Sequence, residues 1–66
     1  MAVLKSIELM ADSKKSWEDA AQVAVKHASK TLRNIRSVYV NNQSATVDEG
    51  RITAYRVNVN ITFEVE

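Results

Sequence analysis

Hydrophobic and polar positions alternate most regularly near the end of the chain, where Tyr55, Val57, Val59, Ile61, Phe63 and Val65 interleave with Arg56, Asn58, Asn60, Thr62, Glu64 and Glu66. A period of two over this length predicts a β-strand with one dry and one wet face, running from Ile52 to Val65. At the start, Val3, Ile7 and Leu9 share one parity within residues 2–10, which predicts a shorter first strand. The polar stretch Ala11-Asp12-Ser13-Lys14-Lys15 leads on from it, Lys14 and Lys15 reading as a short charged turn.

Between the two the period changes. From Trp17, an advance of about 100° per residue brings Ala20, Ala21, Ala24, Ala28, Thr31, Leu32 and Ile35 to one side. Glu18, Asp19, Gln22, Lys26, Ser29, Lys30 and Arg33 fall on the other. This predicts an amphipathic helix over 17–33, with Ser16 as N-cap, acids in the first turn and bases in the last. The alanine stripe lets the helix backbone lie close on a sheet, and Trp17 reads as core at one end. Val23 falls outside the stripe and is expected to touch another subunit. His27 flanks the stripe and is read as structural.

Residues 37–47, rich in β-branched and polar side chains, predict another strand. The segment Asp48-Glu49-Gly50-Arg51 joins it to the last strand as a hairpin with a longer loop, Gly50 taking positive φ. The expected class is α+β, one β-α-β-β domain over 1–66. A strand from 52 to 65 would span about 45 Å, against a radius of gyration of about 11 Å for a compact chain of this length. The strand must therefore curve round the helix or reach a neighbour.

Size sharpens that expectation. Sixty-six residues bury only about 60% of the unfolded chain's surface, and small domains offset the deficit with disulfides, metals or association. The chain has no cysteine and one histidine, which leaves association. Nine basic against eight acidic residues give none of the basic footprint of a nucleic-acid binder. No segment has the run of apolar residues of a signal peptide or a membrane span, so a cytoplasmic location without membrane partners is expected. No catalytic motif appears, and the chain is read as non-enzymatic.

The order strand, serine-capped helix, long hairpin resembles the dodecin family. The resemblance rests on Val3-Leu4-Lys5-Ser6-Ile7-Glu8-Leu9, on Ser16-Trp17-Glu18-Asp19-Ala20-Ala21, on Ala28-Ser29-Lys30-Thr31-Leu32-Arg33-Asn34-Ile35, and on Tyr55-Arg56-Val57 with the closing Phe63-Glu64-Val65-Glu66. It implies a three-stranded antiparallel sheet partly wrapped around one helix, twelve copies forming a hollow shell, and flavin (riboflavin, FMN or FAD) held between subunits for storage. In the flavin-binding branch a tryptophan at the start of the second strand stacks on the flavin ring, and a glutamine on the last strand bonds its edge. Ungapped alignment places Ser37 at the tryptophan position and Arg56 at the glutamine position. Tyr39, two residues along the same face as Ser37, is the ring that replaces part of the lost stacking.

The chain is thus more similar to the branch without the tryptophan, and that likeness adds calcium as a second ligand, neither being an obligatory cofactor. Among Glu8, Asp48, Glu49, Glu64 and Glu66, the pair Glu64 and Glu66 is the best candidate for an ion site at a symmetry axis. Asn41, Asn42 and Gln43 supply amides for a pocket lining or the hairpin surface. The alternative to a flavin store is a structural or ion-binding shell.

Overall fold

A computed structural model describes residues 2–65. Strand β1 (Val3–Ser13) is followed by helix α1 (Trp17–Ala28), strand β2 (Ile35–Asp48) and strand β3 (Arg51–Val65). The three strands form one antiparallel sheet in the order β1-β3-β2, so the most regularly alternating strand lies in the middle. No described helix is long and apolar enough to cross a membrane.

The core is small. Val57, Val59 and Ile61 of β3 and Ala20, Ala24 and Ala28 of α1 are buried, with Ile7, Leu9, Ala11, Trp17, Leu32 and Ile35 packed around them. The alanine stripe brings the helix down onto the dry face of β3, as its lack of bulk requires. Ser16 is the N-cap, its hydroxyl accepting from the Asp19 amide at 3.0 Å. The Trp17 indole N–H donates to the Ser44 carbonyl at 2.8 Å, and its ring meets Tyr55 edge-on at 4.8 Å.

Three boundaries differ from the sequence reading. First, β1 continues through Ala11, Asp12 and Ser13, beyond the expected end at Met10. Ala11 packs on the core, and Ser13 is buried, donating to Asp19 Oδ2 at 2.6 Å while accepting from the Lys15 amide at 2.9 Å. Second, α1 ends at Ala28 instead of Arg33. The amides of Lys30 and Thr31 turn back three residues to His27 and Ala28, and Asn34 at φ 61° redirects the chain into β2. Leu32 and Ile35 still reach the core, although Ile35 now does so from the strand; Thr31, expected on the apolar stripe, is exposed.

Third, the hairpin loop is tight. Asp48 pairs with Arg51, leaving only Glu49 and Gly50 between the strands, at φ 50° and φ 75°. Two positive φ values in a two-residue loop define the type I′ turn, which favours Asn-Gly or Asp-Gly. Glu49 is therefore in a conformation costly for its side chain. Glu49→Asp, which keeps the charge, is expected to raise the free energy of unfolding by about 0.5–1 kcal/mol, read from the denaturant midpoint at fixed protein concentration.

The molecule extends 51 × 20 × 13 Å with a radius of gyration of 13.4 Å. A 12-residue helix is only about 18 Å long. The far end of the β2–β3 hairpin therefore projects past the N-terminus of α1 with nothing over it.

Candidate functional site

Side chains on alternate positions divide the sheet into a face under the helix and an outer face. Directly opposed residues share a face, so the pairs Asp12 with Arg56, Ser37 with Thr62 and Tyr39 with Asn60 all belong to the outer one. This face is polar and cross-linked. The Asn41 amide donates to Asn58 Oδ1 at 3.3 Å and also to Asn60 Oδ1, and Asn60 Nδ2 donates to Ser6 Oγ at 3.0 Å. An amide ladder thereby crosses β2, β3 and β1. Asn41 follows Ser37 and Tyr39 in plain alternation, whereas Asn42 owes its place on this face, opposite Asn58, to the bulge between Val40 and Asn42, which simple alternation does not reveal.

Ser37 and Tyr39 sit near one end of the outer face, on edge strand β2, and the Tyr39 ring is 69% exposed. Arg56 sits towards the other end. The partner of Ser37 is Thr62, six residues along β3 from Arg56, or about 20 Å at strand spacing. One subunit therefore brings Ser37 and Tyr39 together and keeps Arg56 apart from both.

Arg56 is already engaged. Its Nε donates to Asp12 Oδ1 at 2.7 Å and its Nη2 to Asp12 Oδ2 at 3.0 Å, a two-pronged pair across β1 and β3. Hydrogen bonding from Arg56, and then its charge, hold the Asp12 carboxyl below the ordinary aspartate range; the same contact raises Arg56. Asp12 was not singled out from the sequence. The signal was present, since Glu8, Met10 and Asp12 keep one parity while Ile7, Leu9 and Ala11 keep the other.

A carboxyl with a depressed folded-state value contributes stability above its unfolded value, about 3.9, and loses that contribution as pH falls through the folded value. Asp12→Asn is expected to flatten the decline in stability below about pH 4. Thermal unfolding of both proteins from pH 2 to pH 7 checks this; parallel curves would contradict the linkage.

Of the acidic pair, Glu64 accepts from Arg36 Nε at 3.1 Å, and Glu66 lies outside the described residues. Among the described residues no group of three or more His, Asp or Glu side chains is placed to hold a metal ion.

The β-α-β-β order, the central β3 and the helix on one face match a family along almost the entire chain: residues 3–66 match dodecin. The chain belongs to the dodecin family. It is 34% identical over 65 residues to the calcium dodecin of Mycobacterium tuberculosis, covering 98% of this chain and 92% of that one. Against the dodecin of Thermus thermophilus it is 33% identical over 64 residues, covering 97% and 93%. A crystal structure of the Thermus thermophilus protein superimposes with a TM-score of 0.93 at 32% identity, covering 100% of this chain and 97% of the other. The calcium dodecin structure gives 0.83 at 35% identity, covering 97% and 91%. In this dodecin, the outer face with Ser37, Tyr39 and the amide ladder is the candidate binding surface.

Proposed function

We propose that this dodecin is a non-enzymatic storage protein that assembles as a homododecameric shell and holds a planar flavin, riboflavin or FMN, between its subunits. The observation that carries the reading is the Tyr39 ring, presented beside Ser37 on a sheet edge while Arg56 stands four residues further along β3 than the partner of Tyr39, about 13 Å at strand spacing. A pocket using all three residues closes only when subunits meet, which agrees with a subunit too small to bury its surface alone. Tyr39 supplies a ring face for stacking, and Ser37 leaves the second platform empty.

Titration of riboflavin fluorescence tests this. Quenching is expected at micromolar protein, weakening by roughly tenfold in Tyr39→Ala, since one aromatic stack on a nucleobase-like ring is worth about 1–3 kcal/mol. Ser37→Trp is expected to tighten binding by a similar factor. If neither the wild-type protein nor Ser37→Trp quenches riboflavin, the flavin reading fails.

A second reading, a calcium-binding shell, is favoured by the likeness to calcium dodecin and by Glu64 on the outer face. Calcium that raises the melting temperature of the wild type but leaves Glu64→Gln unmoved would favour it.

A further inference from the structure

The projecting hairpin end and a hollow beside the helix are complementary in shape and charge. Val47 and Ile52 oppose each other at the tip and are 64% and 53% exposed. Asp48 and Glu49 follow at once, on a type I′ turn that fixes where the tip points. Two aliphatic side chains held side by side by a rigid turn form an apolar knob with two acids at its end.

The hollow lies along the free edge of β1, between that strand and α1. Leu9, Met10, Ala11, Val23 and His27 line about 360 Å³ of it, together with Asp12, whose carboxylate is taken up by Arg56. Val23 and His27 also line a second hollow of about 180 Å³, whose remaining walls are Lys26 and Lys30. The two are thus continuous, an apolar floor with a basic rim. Val23, 43% exposed, is the aliphatic side chain that the helix points away from its own core.

Within one chain the knob cannot reach the hollow. The knob projects beyond the N-terminus of α1, and His27 and Lys30 lie at the helix's other end.

We infer that the hairpin tip of one subunit, Val47 and Ile52 with Asp48 and Glu49, docks into the hollow at Val23 and His27 of a second copy, its acids meeting Lys26 and Lys30. This rests on the shell reading above and assigns one of its contacts. The contact is heterologous, two different patches meeting, and within a closed shell its repetition builds a ring. It covers the exposed aliphatic pair and the unpaired β1 edge together, both of which invite non-specific association when left open.

The chain has no native cysteine, so introduced ones report cleanly. Val47→Cys and Val23→Cys chains, carrying different tags, are mixed, refolded together and treated with a short bifunctional maleimide. Cross-links joining the two variants are expected to exceed by far those within either one. In parallel, Val47→Lys is expected to raise the half-assembly concentration by about tenfold or more. Glu49→Lys is expected to weaken assembly, and Lys26→Glu in the same chain to restore it. These positions are exposed, and unchanged circular dichroism confirms that the subunit still folds. Wild-type protein that elutes as a monomer would overturn both the shell and this contact. Assembled protein with no Val23–Val47 cross-link, or with assembly indifferent to Val47→Lys, would overturn the contact alone.

Discussion

Ile61→Ala is expected to remove about 2–5 kcal/mol from the free energy of unfolding. Ile61 has no exposed surface, sits in the central strand, and is opposed by Ile7 on β1 and Val38 on β2. Its side chain is shared by both edges of the sheet and by the helix above, so truncation leaves a void that three elements must relax to fill. Among the described residues six buried hydrophobic residues make up the core, and three of them are alanines. Little remains to compensate. Because association adds to apparent stability by mass action, the denaturant midpoint has to be compared at two protein concentrations. A loss below about 1 kcal/mol at both would mean that the helix collapses onto the gap, contrary to close packing.

Ala20→Leu is expected to cost about 1–3 kcal/mol by the opposite route. Ala20 is fully buried where α1 begins its contact with β3, one turn after the Ser16 cap. Three added carbons have no space there unless the helix lifts. Lifting it strains the Trp17 indole bond to Ser44 and the Ser13–Asp19 hydrogen bond, which tie the helix N-terminus to the sheet. Gln22→Leu, on the exposed side of the same helix, is the control and is expected to stay within about 0.5 kcal/mol of wild type. Equal effects in the two variants would refute the claim that closeness of approach, and not helix propensity, limits residue 20.

Much of the site was legible in the sequence, though its pieces were not assembled there. Alternation in β3 put Arg56 on the wet face, and the parity of Ser37 and Tyr39 held. What alternation does not carry is distance along the sheet, so it offered no sign that Arg56 stands apart from the other two. Nor does it show pairing. Asp12 finds Arg56 only because the antiparallel register sets them opposite each other, and a bulge sets Asn42, against alternation, opposite Asn58. The strand that seemed to stop at Met10 continues because its next residues gain partners on β3, a gain invisible to a local reading.

The helix shows the same division from the other side. Its 3.6-residue period persists in the sequence to Leu32, yet the hydrogen-bonded helix stops at Ala28, where the chain must turn to lay β2 against β3. Propensity is a weak local preference, and closing the sheet outweighs it.

By itself, then, the sequence determined the element order, the dry face of β3, the serine-capped alanine helix and the shortage of buried surface. Each of these depends only on side-chain period and composition, which are local quantities. Only the tertiary structure decided where the strands end, which residues face one another across the sheet, and that the hairpin end projects with Val47 and Ile52 uncovered. Those follow from strand register and from a helix shorter than the sheet it covers. Both relate residues distant in the chain, and no periodicity along it records them.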